Sequence, residues 1–287
     1  MFDSFSVDWE DYYPYPVKDF EKFYSPEFKG YLIPMTHNLL EIFEKLNIKT
    51  TFFCIGHFAK QHPDLVKQIK NAGHEIASHT YSHRFLNQIT TELAKEDIYK
   101  SISVLEDITG EKVKSFRAPA FSLDKNSKEL LSYLLELGIE YDSSFTSSKN
   151  EYGGNINNFH LPHIIKIDGQ ELVELPVSVY KKGKISLCYS GGGYFRSYPK
   201  SFIINNIRHL KEKELPFIGY IHPRDIYKDQ KIIINYKDLK RTAKSYIGLK
   251  SCKNKFEDTL RILNIVPINE LGSFIRNNKY MTFPINY

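Results

Sequence analysis

Four polar clusters combine residue types that together could run a hydrolysis: Asp8-Trp9-Glu10-Asp11, His79-Thr80-Tyr81-Ser82-His83, Arg117-Ala118-Pro119 and His222-Pro223-Arg224-Asp225. Two imidazoles four residues apart in a helical turn lie on one face and can share a divalent metal; neutral imidazole suits zinc or another first-row ion. A carboxylate from the cluster at 8–11 would supply a third ligand and leave positions open for water and substrate, as catalytic sites do. A second carboxylate beside such a water is the general base that a hydrolase needs. Arg117, at a strand end and followed by Pro119, can fix that base in its ionised form. His222 follows the apolar run 216–221 and is a candidate general acid for a leaving amine, with Asp142 or Asp225 as the carboxylate that raises its pKa. Taken singly, each cluster is an ordinary surface, capping or core feature. Only as a set do they suggest chemistry.

The elements that must position these clusters follow from hydrophobic period. Phe2 to Val7 reads as a strand, Pro34 to Leu46 as a helix, and Thr50 to Ile55 as a buried strand closed by Gly56. A helix runs from Pro63 to a stop at Gly73, with Leu65, Val66, Ile69 and Ala72 on one face. The unit repeats as a strand over His74 to Ser78 and a helix capped near Thr90 that carries Ile98, Ile102, Leu105 and Ile108 before Gly110. It repeats again as a strand over Ser115 to Ala118, a helix over Lys128 to Leu137 ending at Gly138, and a strand over Ile139 to Asp142. Periodicity fails from Ser143 to Gly169, which reads as a long loop of the kind used for substrate contact. Strands resume at Leu172 to Val179, a Gly191-Gly192-Gly193 loop leads to a helix over Pro199 to Glu212, and Pro216 to Ile221 is a strand. Strands alternating with helices predict an α/β layered or barrel domain, in which the polar clusters fall at the C-terminal strand ends where sites form.

Length and composition set the outer bounds. The 287 residues are 41% hydrophobic and 25% charged, ordinary proportions for one large domain and poor ones for disorder, collagen or a coiled coil. The formal charge of +5 is scattered, so nucleic acid is not an expected partner. Cys54, Cys188 and Cys252 are odd in number and far apart, against a disulfide framework or a thiolate zinc site. No leader-like opening and no run of about 18 apolar residues is visible, so a cytoplasmic protein, or one working at the inner membrane face, is expected. No linker breaks the chain, and one domain over 1–287 is the expectation, with 253–287 an extension packing on it.

In this order the clusters resemble the polysaccharide deacetylases with NodB homology. TTFFCIGHFAKQHPDLVKQIKNAGHEIASHTYSH resembles the family's strand, helix and HxxxH block, and SFRAPAFSL its Arg-x-Pro motif. YDSSF, GGGYFRSYP and GYIHPRDI resemble the exosortase-associated exopolysaccharide deacetylase subgroup, and the whole likeness covers about residues 2 to 250. The resemblance implies a distorted (β/α) barrel with seven strands and removal of N-acetyl groups from sugars. It implies a metal held by one carboxylate, His79 and His83, with Asp8 as base, Arg117 as its tether and His222 as acid. Two adjacent aspartates are usual in the family, whereas this chain reads Asp8-Trp9-Glu10-Asp11, so Glu10 or Asp11 is the metal carboxylate. Glu10, two residues after Asp8, would emerge on the same side of an extended strand; Asp11 gains if the strand has already turned. Ala120 stands where many members place an aromatic residue, leaving a nearby backbone N–H to help bind an oxyanion.

The expected reaction is therefore hydrolysis of an N-acetyl group on an amino sugar of a polysaccharide or glycan precursor. Zinc is the default metal, and Co²⁺, Ni²⁺, Mn²⁺ or Fe²⁺ suit the same donors. Trp9, Tyr12, Tyr13, Tyr81, Phe121, Tyr194 and Phe195 lie beside the motifs and are expected to offer flat faces to a pyranose ring, with Pro119 beside them. The glycine run has no following Lys-Ser/Thr, so Gly192 and Gly193, with Arg196, are expected as a backbone-lined wall of the sugar groove rather than a phosphate loop. The rival readings are an amidohydrolase of the same fold acting on a small non-sugar amide, and a non-catalytic glycan-binding relative.

Overall fold

The computed structural model describes residues 1–11, 30–123, 127–148, 153–154, 160–232, 239–278 and 285–286; Tyr12 and Tyr13 lie outside them. The strands are β1 (Ser4–Trp9), β2 (Thr51–Cys54), β3 (Glu75–Ser78), β4 (Ser115–Phe116), β5 (Tyr141–Asp142), β6 (His163–Ile167), β7 (Gln170–Glu174), β8 (Val179–Lys182), β9 (Ile185–Cys188), β10 (Ile218–Ile221) and β11 (Ile285–Asn286). The helices are α1 (Leu32–Lys45), α2 (Gly56–Gln61), α3 (Pro63–Asn71), α4 (Thr91–Thr109), α5 (Lys128–Glu136), α6 (Gly192–Ser197), α7 (Lys200–Glu212), α8 (Pro223–Ile226), α9 (Leu239–Tyr246), α10 (Leu249–Leu260) and α11 (Ile268–Asn278).

One mixed sheet has the order β10-β1-β2-β3-β4-β5-β7-β6-β11, and it is curled into a partially closed half-barrel. From β10 through β7 all neighbours are parallel, which makes seven parallel strands; β6 then runs antiparallel to β7. This is the distorted α/β barrel expected from the sequence. The alternation of β1 shows how it serves two faces. Phe5, Val7 and Trp9 join the larger core with Phe52, Cys54 and the flanking helices, while Ser4, Ser6 and Asp8 are buried on the opposite face. On that face Phe53, Ala77, Tyr141, Val173 and Ile218 form a second cluster with Ile268, Leu271 and Ile275 of α11. Gly272 makes this approach possible, because a Cβ there would lie 2.2 Å from the Tyr141 ring.

Helix ends follow the sequence where caps are strong. Thr90 accepts from Leu93 N at the start of α4, and Gly110 ends it with φ 69°. The fold departs from expectation in the second half. The segment 143–169 contains β6, whose His163–Ile167 pairs antiparallel with β7, rather than loop throughout. The strand expected over 172–179 divides into the end of β7 and the start of a β8–β9 hairpin, turned at Gly183. Gly192 and Gly193 open α6 instead of lining a loop, and Gly56 likewise opens α2. No helix among the described residues is long and apolar enough to cross a membrane.

His74 ties stability to pH. Its ring lies between Phe43 and Phe52, with centroids 5.3 and 5.1 Å away, and its Nδ1 accepts from Thr50 N at 3.2 Å. Burial, and then the Lys49 charge, lower its pKa from 6.5 to about 4. A folded-state value below the unfolded one means that the unfolded chain binds the extra proton first. The stabilisation is thus complete above pH 6.5 and is lost as pH falls from there towards 4, by about 3 kcal/mol in all. Urea midpoints at pH 7.5 and 4.5 check this, since His74→Gln removes the corresponding part of the wild-type slope.

Candidate active site

Parallel strands deliver their C-terminal ends to one rim, and that rim collects the predicted clusters. Asp8 and Glu10 come from the end of β1, His79 and His83 follow β3, Arg117 follows β4, Ser143 follows β5 and His222 follows β10. The rim is built around Arg117, which is 1% exposed. Its Nη1 donates to Asp8 Oδ1 at 2.6 Å and to Ser6 Oγ at 2.8 Å, its Nε to Ser143 O at 3.1 Å and its Nη2 to Ser143 Oγ at 2.9 Å. The guanidinium also lies over the Phe53 ring, 4.1 Å from its centroid. Burial alone would raise the Asp8 pKa, but the charge of Arg117, helped by the His222 imidazolium, outweighs it and holds Asp8 below the usual carboxylate value. Asp8 is thereby kept ionised and oriented.

The backbone of Arg117 orients a second group, since its carbonyl lies 2.7 Å from His79 Nδ1. With that nitrogen donating, Nε2 carries the lone pair, the arrangement usual for a metal-binding imidazole. His79 and His83 come together, ring centroids 5.1 Å apart. They do so across a loop and not the helical turn expected, because Thr80 (φ 63°) and His83 (φ 53°) are both left-handed. Asp97 holds this loop, accepting from Tyr81 N at 2.8 Å and Ser82 N at 3.1 Å, while Thr80 Oγ1 accepts from His83 N at 3.1 Å. The only sequence signal for Asp97 was a carboxylate on the apolar face of α4 beside Ile98. Burial lowers the His79 pKa to about 4 and, as the largest influence, puts His83 well below 6.5, so both rings are neutral near pH 7, the form in which imidazole can bind a metal.

Glu10 sits between the histidines: Oε2 is 3.2 Å from His83 Nε2 and Oε1 is 3.5 Å from His222 Nε2. Asp11 instead accepts from Tyr31 N at 2.9 Å, just before α1, and its carboxylate fills the space where a Cβ on Gly30 would stand. Of Glu10 and Asp11, Glu10 is therefore the carboxylate beside His83 and His222. Burial raises its pKa to about 7, with cationic His222 and Arg224 only partly offsetting the penalty, so the pocket around Glu10 is short of positive charge. Neutral imidazoles beside such a carboxylate fit a divalent ion with N/O ligands. Among the described residues, no three side chains of His, Cys, Asp or Glu form a ready-made metal cage.

His222 is held from its other side. Its Nδ1 lies 3.0 Å from Asp225 Oδ2, which also accepts His222 N at 3.1 Å, and Arg196 binds the remaining Asp225 oxygen. Burial opposes charge on this ring, yet Glu10, Asp225 and Asp8 outweigh it and raise its pKa to about 9. Asp142, expected as an alternative partner of His222, is elsewhere. It accepts from Ser144 Oγ and is hydrogen-bonded to Glu174, its register partner on β7. Burial raises both carboxyls, Asp142 to about 6, and two buried acids in contact share a proton. Ser144 Oγ in turn accepts from Ala118 N at 2.8 Å, so Asp142 and Glu174 brace the backbone beside Arg117, whereas the carboxylate on His222 is Asp225.

Several residues expected to contact sugar are placed otherwise. Trp9 has no exposed surface, because it is on the core face of β1, and its indole donates to Thr36 Oγ1 at 2.8 Å. Tyr81 is buried beneath Lys100, whose Nζ is 3.8 Å from its ring centroid; Phe121 packs edge-on against Tyr220, and Phe195 against Phe5. Pro119 is buried where it opens the turn 119–121, in which Ala120 and Phe121 have φ of 53° and 56°. Gly192 makes room for His222, since a Cβ there would lie 3.1 Å from its Cε1. Arg196 is buried under Asp225 and not on a groove wall, whereas Gly193 and Tyr194 keep partial exposure.

Known proteins match the same segments. The polysaccharide deacetylase family matches residues 29–141, and a domain of unknown function, DUF3473, matches residues 143–271. A peptidoglycan deacetylase from Helicobacter pylori is 30% identical over 156 residues, 50% of this chain and 52% of that protein, so the chain spans about half the length of this relative. The solved structure of a candidate polysaccharide deacetylase from Mycobacterium smegmatis has a TM-score of 0.62 at 18% identity, covering 86% of this chain and 79% of that one. An allantoinase has a TM-score of 0.59 at 15% identity, covering 96% and 89%. At such identities the two structures speak for the fold alone. The segment that holds His79, His83 and Arg117 is the one that matches the polysaccharide deacetylase family.

Proposed function

We propose that the protein is a metal-dependent hydrolase that removes N-acetyl groups from amino sugars of a polysaccharide or glycan precursor, its whole length forming one catalytic unit. The observation that carries this reading is the pair of oppositely held groups flanking Glu10: Asp8 locked by Arg117 and His222 locked by Asp225. Two titratable groups whose surroundings drive them to opposite charge states are an acid and a base. A divalent ion bound by Glu10, His79 and His83, zinc by default, would polarise the acetyl carbonyl and lower the pKa of a water. Asp8 takes a proton from the attacking water as its oxygen bonds to the carbonyl carbon. A backbone N–H of the 119–121 turn helps hold the developing oxyanion. His222 donates its proton to the nitrogen as the C–N bond breaks, which leaves acetate and an amine that becomes ammonium in water.

The matched relative's name supports a peptidoglycan-type N-acetyl sugar, and GGGYFRSYP and GYIHPRDI support an exopolysaccharide. A small amide remains the rival substrate class for a site on this fold. Zinc-loaded protein incubated with N-acetylglucosamine oligomers, peptidoglycan fragments and allantoin decides between them. Acetate release from the sugars is the expected result. Turnover of allantoin alone, or of none while the ion is bound, overturns the proposal.

A further inference from the structure

We infer that Arg196, within the segment matched by the domain of unknown function, is a positioning residue for the leaving-group acid His222, and that α9 and α10 hold it in place. The inference rests on the hydrolase reading for its chemistry and on the structure for its geometry. Arg196 is 4% exposed, and every one of its guanidinium nitrogens is used: Nη1 on Asp225 Oδ1, Nε on Ile247 O at 2.8 Å and Nη2 on Lys244 O at 3.0 Å. Asp225, 1% exposed, is bound at both oxygens, by Arg196 on one side and by the backbone and Nδ1 of His222 on the other. A buried carboxylate held by imidazole alone would be free to rotate or to take a proton. The planar fork of arginine prevents both and points the second oxygen at His222.

The carbonyls that hold Arg196 belong to residues with no chemical signal of their own. Lys244 lies in α9, Ile247 in the turn after it, and Gly248 (φ 74°) lets that turn pass so close that a Cβ there would sit 2.1 Å from Arg196 O. Lys255 of α10, 7% exposed, donates to Phe195 O at 2.9 Å, Arg196 O at 2.9 Å and Tyr198 O at 2.6 Å, which fixes the end of α6. The base side of the site thus has its own arginine, Arg117 on Asp8, and the acid side has a separate one, Arg196 on Asp225. Because β10 pairs with β1, the two supports converge on adjacent strands.

Leaving groups separate the two supports. An amine needs a proton to depart, whereas the phenolate of 4-nitrophenyl acetate does not. In zinc-loaded protein, Arg196→Gln and Asp225→Asn are expected to lower kcat on an N-acetylglucosamine oligomer by about 10- to 100-fold with KM little changed, and to lower aryl-ester hydrolysis less than about 3-fold. Asp8→Asn lowers both. Equal losses on the two substrates in Arg196→Gln, with metal retained, or no loss on the amide, overturns the inference. If Arg196→Gln does not fold, Arg196→Lys, which keeps the charge without the fork, gives the same ratio. A second readout does not depend on turnover: the ¹⁵N signal of the His222 Nδ1–H, assigned with His222→Gln, is expected to shift in Arg196→Gln as in Asp225→Asn. An unchanged signal overturns the inference. A shifted signal in a protein that hydrolyses neither substrate would sink the hydrolase reading and leave the positioning role standing.

Discussion

His83→Ala is expected to empty the site of its divalent ion and to reduce N-acetyl hydrolysis by about 10³-fold or more, the loss that follows when a three-ligand site is cut to two. His83 is placed for this by its backbone, with φ of 53° and its N–H on Thr80 Oγ1, which turns Nε2 to within 3.2 Å of Glu10. Elemental analysis of wild type and variant gives the answer without a substrate: about one equivalent per chain in the first and none in the second. Two further variants sharpen the result. Glu10→Gln should lose the ion as His83→Ala does, because Glu10, unlike Asp11, lies beside His83. Asp11→Asn should retain it, because the Asp11 carboxylate is turned to Tyr31 N. Metal kept in His83→Ala, or lost in Asp11→Asn and kept in Glu10→Gln, would mean that the ion binds elsewhere on the rim.

The contrast between Glu10 and Asp11 shows where sequence reading reaches its limit. The spacing Asp8-Trp9-Glu10-Asp11 put three acids at one strand end, and period 2 alone placed Glu10 on the side of Asp8. Which carboxylate met the histidines was decided by a contact to Tyr31, twenty residues away along the chain. The same holds for His222, whose partner Asp225 is three residues on and shares a helical turn, whereas Asp142, at the end of β5, is engaged by Ser144 and Glu174. Helices α3 and α4 and strands β2 and β3 were legible because Pro63, Gly73, Thr90 and Gly110 punctuate clear apolar patterns. The glycine run was not, since glycine weighs against a helix by propensity and only the close packing of Tyr220 and His222 explains it in α6. The aromatic residues misled for a related reason. A ring next to a motif on a doubly buried strand is as close to the core as to the site, and Trp9 belongs to the core.

Asp8→Asn is expected to keep the ion and the fold and to lower turnover by about 10²- to 10⁴-fold, the contribution of a positioned general base. The amide can still accept from Arg117 Nη1 and Ser6 remains beside it, so the structural bonds of Asp8 are largely preserved while its capacity to take a proton is lost. Arg117→Met separates the same two properties in the opposite direction. Asp8 is 3% exposed, and without the guanidinium it becomes a buried carboxyl whose dominant influence is the burial that raises its pKa. Loss of a buried ion-pair partner destabilises by about 3–5 kcal/mol, read as a lower urea midpoint. Turnover should also fall, and the low-pH limb of its profile should move upward, since Asp8 must lose its proton before it can act as base. If Asp8→Asn releases the ion, Asp8 is a ligand and not the base. If Arg117→Met leaves the low-pH limb where it was, the base is a carboxylate that Arg117 does not touch.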